Sequence, residues 1–335
     1  PPTGDAATAT TDAPVPTGIG DLGIFVPRLT NGTIRSSPAD IAAEARALGV
    51  STVRVEQDIS APIAPGVTAF TAAGFREVLT IRNGPQLGPQ GKPTVDPPHT
   101  PEDLAIFRQR LDATLNATRP ALVAVENEEV GSPFVQGTAA DYVAELSAAI
   151  EVARRYGVPV TNGGITSGTV ALLTWKDLYD RGLLDEADDY ARRAFALPQQ
   201  ADELQDLLAR PFQGFRRTQL ADNLQKGEAL VAAYRDLPMD FVNFHWYFDD
   251  DDALRQTVEY LRRATGHDVV THEIGQYRPD PDVVRGHLET LADLGVPFVI
   301  WFDADGDPAV GLHDGPADLR PNGVAFAATA PQVTR

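Results

Sequence analysis

A helix that ends on glycine and passes at once into an apolar strand recurs along this chain, at Leu48-Gly49-Val50, Tyr156-Gly157-Val158 and Leu294-Gly295-Val296. Glycine one step past a helix takes the left-handed conformation that closes the last turn. Repetition of this unit, with strands that are apolar almost throughout, means a parallel sheet covered by helices. Candidate strands lie at Leu22–Val26, Ser51–Val55, Glu77–Ile81, Ala121–Val125, Val158–Thr161, Phe241–His245, Val269–Thr271 and Pro297–Trp301. Helical patterns between them include Pro38–Leu48, Pro101–Ala117, Ala139–Arg155, Asp252–Thr265 and Pro281–Leu294. Eight such units close most naturally into a (β/α)8 TIM barrel, an α/β fold. A doubly wound open sheet is the alternative. It would place a glycine-rich phosphate loop after strand one, where Ile24-Phe25-Val26-Pro27-Arg28 stands instead.

Unit five breaks the spacing. After Thr161-Asn162-Gly163-Gly164 a long stretch precedes strand six, and the returning helix is best matched by Thr218–Leu237, with Leu220, Leu224, Leu230 and Tyr234 on its apolar face. Residues 165–217 therefore read as a helical insertion after strand five. Such loops lie on the catalytic face of a barrel, as does the Gly- and Pro-rich loop Asn83–Thr100 after strand three. At the other end, residues 1–17 are small, Pro- and Thr-rich and without apolar period, which predicts a disordered tether. With no starting methionine, the tether leads us to expect a removed leader and a secreted, periplasmic or cell-surface protein. Residues 18–335 are then one catalytic barrel.

With 335 residues the chain can bury a large core without staples, and it has no cysteine. That removes disulfides, thiol nucleophiles and Cys-ligated metal centres. Its 47 acidic residues outnumber 28 basic ones, for a net charge of −19. No basic run exists, which argues against nucleic acid and anionic membranes, and no segment approaches the ~20 apolar residues of a membrane span. The sequence does not set an oligomeric state.

Polar residues gather at the C-terminal ends of the strands, where barrels do chemistry. Strand two holds Arg54 between Val53 and Val55; strand four ends Glu126-Asn127-Glu128-Glu129; strand seven ends Thr271-His272-Glu273. On strand six Asn243, His245 and Tyr247 share one face by the period of two. Two carboxylates from opposite sides of a barrel suit glycosidic bond cleavage, one protonating the leaving oxygen while the other attacks or activates water. An attacking carboxylate must stay ionised, so a cation should lie beside it. Arg54 needs a buried partner, and either Glu273 or Glu56 can serve. Tyr247 could donate its hydroxyl to the nucleophile, and Glu129 could raise the acid's pKa by repulsion.

Taken in order, Arg54, Asn127-Glu128, His245-x-Tyr247, Glu273 and Trp301 resemble the retaining glycoside hydrolases of clan A, most nearly families 5 and 39. The resemblance implies that Glu128 is the acid/base, Glu273 the nucleophile and Asn127 the partner of the sugar 2-hydroxyl. It implies a carbohydrate substrate and no cofactor or metal. The two carboxyls should then lie ~5–5.5 Å apart. Where the family often has proline after Asn-Glu, this chain has Glu129 and Val130.

The three tryptophans, Trp175, Trp246 and Trp301, all fall in segments assigned to the catalytic face. Sugars stack on indole rings, and Trp301 is expected to be the better platform, then Trp175; the parity of Trp246 opposes His245. Two other motifs are explained without metal. Asp249–Asp252 precedes a helix and fits capping, and Asp303-x-Asp305-Gly306-Asp307 has its glycine misplaced for a calcium loop. Ser167 lacks a nucleophile elbow. The competing readings are a non-catalytic carbohydrate-binding barrel and a metal-dependent barrel hydrolase.

Overall fold

Alternation along the strands divides the side chains between two cores. In the computed structural model, which describes residues 17–25, 38–84, 100–131, 135–302, 304, 310–315 and 318–335, Val53, Val55, Leu79, Ile81, Val123, Val125, Val242 and Phe244 pack outward against the helices. Phe25, Val78, Leu122, Val270, Phe298 and Ile300, drawn from five different strands, meet in a separate cluster that fills the barrel interior. Residues 1–16, most of the expected loop Asn83–Thr100 and the run Asp303-x-Asp305-Gly306-Asp307 lie outside the described residues, apart from Ala304.

The elements run β1 (Asp21–Phe25), α1 (Pro38–Ala47), β2 (Thr52–Asp58), α2 (Pro65–Ala72), β3 (Arg76–Arg82), α3 (Leu104–Thr118), β4 (Leu122–Val125), α4 (Ala139–Arg154) and β5 (Val160–Asn162). Four helices follow: α5 (Ser167–Asp180), α6 (Leu184–Ala194), α7 (Ala201–Leu208) and α8 (Thr218–Tyr234). The chain continues through β6 (Phe241–Trp246), α9 (Asp251–Thr265), β7 (Asp268–Ile274), α10 (Pro281–Asp293) and β8 (Phe298–Trp301). It closes with a two-stranded ribbon, β9 (His313–Gly315) with β10 (Asp318–Leu319), and α11 (Pro321–Val333). Strands β1 to β8 pair in sequence order, all parallel, and β8 returns to β1 to close the barrel. The fold is a (β/α)8 TIM barrel.

Local chemistry explains the boundaries. Gly49, Gly157 and Gly295 have φ of 76°, 64° and 64°, the left-handed caps that the sequence pattern requires. Thr138 and Asp141 form a capping box on α4, and Asp280 with Pro281 opens α10. Three of the four carboxylates in the acidic run at the start of α9 have partners within the protein: Asp250 caps the Ala253 N–H, Asp249 pairs with Arg278, and Asp251 bonds His287 Nδ1 at 2.6 Å. Among the described residues no helix is long and apolar enough to cross a membrane.

The segment between β5 and β6 packs on its own aromatic core. Trp175 stacks on Tyr179 with ring centres 5.1 Å apart, and Phe212 meets Trp175 edge-on at 5.0 Å. Trp175 is therefore a core residue of these helices, and the expectation of a sugar platform is corrected. Trp301 is corrected too. It alternates with Ile300, which faces the barrel interior, so parity turns its indole outward onto Phe326 of α11, fully buried.

Candidate active site

Arg54 organises the open end of the barrel. Its guanidinium is completely buried and engages five partners. Nη1 donates to Glu273 Oε2 at 2.6 Å and to the His272 carbonyl at 3.2 Å. Nη2 donates to Asn127 Oδ1 at 2.7 Å and to Glu56 Oε1 at 3.2 Å, and Nε donates to Thr80 at 3.0 Å. The underside of the group rests 4.2 Å above the Phe25 ring centre. Arg54 thus serves both candidate carboxylates at once, and Arg82 donates to the same Glu56 oxygen as Arg54.

Glu273 receives one donor on each oxygen: Arg54 on Oε2, and the Tyr247 hydroxyl on Oε1 at 2.6 Å. Burial alone would raise its pKa, but the charges of His245 and Arg54 and the two hydrogen bonds outweigh it, and the net effect lowers it. Burial and the Glu273 charge push the Tyr247 hydroxyl far above its ordinary value, so it stays a neutral donor. Gly275 makes room for this pair, since a Cβ there would come within 2.1 Å of the Phe302 carbonyl and 2.9 Å of the Tyr247 ring.

Strand four turns its polar end in three directions through backbone strain. Glu126 and Glu128 both lie in the left-handed region, with φ of 63° and 52°, where non-glycine residues are uncommon. Glu128 faces His245, whose Nδ1 is 3.0 Å from Glu128 Oε1 and 3.6 Å from Glu273 Oε1. The same ring nitrogen therefore lies between the two carboxylates. His245 Nε2 packs against Gly164, φ 99°, where a Cβ would approach to 2.3 Å. Glu129 does not neighbour Glu128 as expected. It turns into the protein and accepts from Asn162 and Tyr234, both at 2.7 Å, with burial raising its pKa against those bonds. Glu126 turns the other way, accepting the Asn83 N–H at 2.6 Å; burial raises its pKa to about 7, and the buried carboxyl of Glu145 on α4 interacts with it.

Asn127 has its Oδ1 pinned by Arg54, which leaves its amide nitrogen as the group still able to donate. Asn243 is placed differently from the expectation of a substrate contact. Fully buried, it donates its backbone N–H to Asn162 Oδ1 and its amide to Asn162 O, and it accepts the His272 N–H, knitting β5, β6 and β7 together. The structure therefore brings together Arg54, Asn127, Glu128, His245, Tyr247 and Glu273, and leaves Asn243, Trp175 and Trp301 away from the cavity. The sequence reading does not pick out Arg82 or Tyr277. Tyr277 follows Glu273 by one turn of loop, and aromatic character alone was its signal.

Among the described residues His245, His272 and Glu273 bring ligand-type atoms within 4.8 Å of one another. The group does not suit a cation. Both Glu273 oxygens already hold donors, one of them a guanidinium whose charge would repel the ion. Burial, then the charges of Arg54 and His245, lower the His272 pKa far below its ordinary value, and the same positive charges would oppose a cation there.

Fold and site together define a (β/α)8 barrel with two carboxylates at its open end, the architecture on which many glycoside hydrolases are built. The chain is similar in structure to three such enzymes. A GH128 (subgroup II) endo-β-1,3-glucanase from Sorangium cellulosum has a TM-score of 0.54 at 14% identity, covering 92% of this chain and 98% of the other. A GH128 (subgroup VI) exo-β-1,3-glucanase from Aureobasidium namibiae has a TM-score of 0.52 at 9% identity, covering 95% and 98%. An exo-β-1,4-mannosidase from Opitutaceae bacterium strain TAV5 has a TM-score of 0.55 at 14% identity; the match covers 95% of this chain and 60% of that longer one. At such identities the likeness shows the fold. No family model matches the sequence, and no curated protein matches it.

Proposed function

We propose that this chain is a retaining glycoside hydrolase that cleaves O-glycosidic bonds by double displacement, with Glu273 as nucleophile and Glu128 as acid/base. One observation carries the reading: both carboxylates flank His245 Nδ1, at 3.0 and 3.6 Å, while Arg54 and Tyr247 keep Glu273 ionised. The facing oxygens can be no farther apart than those two distances laid end to end. That limit, set for one oxygen of each carboxylate, admits the ~5–5.5 Å separation of retaining pairs.

In the first step Glu273 attacks the anomeric carbon while Glu128 gives its proton to the departing glycosidic oxygen, leaving a glycosyl ester on Glu273. In the second, Glu128 takes a proton from water, whose oxygen attacks the same carbon and frees Glu273. Asn127, fixed by Arg54, presents its amide to a hydroxyl beside the anomeric centre. The similar enzymes act on β-1,3-glucans or β-mannosides, which supports β-linked hexopyranosides as the substrate class here.

A panel of aryl glycosides, with proton NMR of the first-formed anomer, tests this. Release of a sugar with retained configuration is expected. An inverted first product would overturn double displacement. Sugar binding with no turnover would favour a carbohydrate-binding barrel.

A further inference from the structure

All three tryptophans of the chain are buried, so none offers a face to a sugar. Among the described residues, the large hydrophobic side chains exposed to solvent are Ile106, Leu184, Tyr277 and Val324, and Tyr277 is the aromatic one, at 51% exposure. It lies in the loop after β7, close behind Glu273. Its ring leans on Tyr247, with centres 5.4 Å apart and planes 32° from parallel, and on Phe248 at 6.4 Å. Tyr247 in turn holds Glu273 and meets Phe302 edge-on at 5.8 Å.

Packed against Tyr247 and Phe248 yet half exposed among the described residues, Tyr277 is held by its neighbours and offers part of its ring to solvent. Its hydroxyl is close enough to the catalytic pair to feel it: burial raises its pKa, and the charges of Glu128 and Glu273 raise it further. A neutral, oriented phenol beside two carboxylates matches what a pyranose presents, a flat patch of C–H bonds with hydroxyls at the edge.

We propose that Tyr277 is the stacking platform of the site, holding a pyranose by its C–H face next to Glu128 and Glu273. This deepens the glycosidase reading and rests on it. The alternative is purely structural: Tyr277 would brace Tyr247 and so act through Glu273. The two roles differ in what they move. A platform changes substrate affinity and leaves the ionisation of Glu273 alone; a brace shifts the acid limb of the pH profile.

The test compares wild type with Tyr277→Ala and Tyr277→Phe, using laminarihexaose and mannohexaose for hydrolysis and for calorimetric binding, with a pH profile of kcat/KM. For whichever hexaose is cleaved, Tyr277→Ala should raise KM and weaken binding about tenfold, the upper end of an aromatic contact. Its acid limb should not move. Tyr277→Phe, which keeps the ring, should recover affinity to within about threefold. Unchanged KM in Tyr277→Ala, or a shifted acid limb with unchanged binding, overturns the platform while the glycosidase reading stands. If wild type neither binds nor cleaves either hexaose, the hexopyranoside reading fails and the platform with it.

Discussion

Arg54 of β2 and Glu273 of β7 meet across the barrel through a 2.6 Å bond, although 219 residues separate them in the chain. Neither is stable in place alone. A buried guanidinium without its carboxylate, or the reverse, leaves an uncompensated charge worth about 3–5 kcal/mol of destabilisation. The pair is therefore at once a closure of the fold and the device that keeps Glu273 ionised.

Arg54→Lys should lower kcat/KM at least ~10²-fold, because a point charge cannot reproduce the fork that joins Glu273 to Asn127. Glu273 has a depressed pKa in the folded protein, so its stabilising contribution is present above the ordinary carboxylate range and lost as pH falls through the folded value. Weakening the pair should move the acid limb of kcat/KM to higher pH. An acid limb that stays in place would detach Arg54 from the ionisation of Glu273.

Glu128→Ala should still form the glycosyl-enzyme from substrates with good leaving groups, which need little protonation. Azide should then restore turnover on the order of ~10²-fold or more and yield a glycosyl azide of retained configuration. Rescue of Glu129→Ala by azide, with none for Glu128→Ala, would transfer the role to Glu129.

Behind the site, Glu126 and Glu145 are buried together, and Glu145 has neither oxygen in a full hydrogen bond. Burial raises Glu126 to about 7 and Glu145 well above its ordinary value. Both folded pKa values exceed the unfolded ones, so their contribution is full below the ordinary carboxylate range and declines as pH rises through 7. Glu145→Gln keeps the shape without the proton requirement. Thermal unfolding should show a gain on the order of 2 kcal/mol at pH 8 and none at pH 4. Equal shifts at both would dissociate the pair from pH.

The end of α6 reaches the active face: Phe195 meets Phe248 at 5.7 Å and Arg193 pairs with Asp250 at 3.7 Å, beside the loop that carries Tyr277. A wall there should block long chains on one side and favour cleavage near a chain end. Time-resolved product analysis on a polymeric β-glucan or mannan should show one short product from the start. A broad early ladder of oligomers would mean an open groove.

The barrel was legible in the sequence because its signals are local. Helix–Gly–strand junctions and near-continuous apolar strands depend on neighbours within a few residues, and all eight strands lie within a few residues of where those signals place them. Strand parity also put Asn243, His245 and Tyr247 on one face and warned against Trp246. For Trp301 the same parity, set against inward-facing Ile300, turns the indole outward onto the helices. What the sequence by itself determined is the fold class and the kinds of residue at the strand ends. The partners were decided in three dimensions. That Arg54 would bond Glu273 as well as Glu56, two residues along its own strand, depended on how β2 faces β7 across the closed barrel. Which of the glutamates after β4 enters the cavity depended on the left-handed turns at Glu126 and Glu128, conformations that glutamate adopts only where the surrounding structure enforces them. Contacts between strands far apart in the chain have no local signature, so only closure of the sheet could choose among chemically equivalent carboxylates.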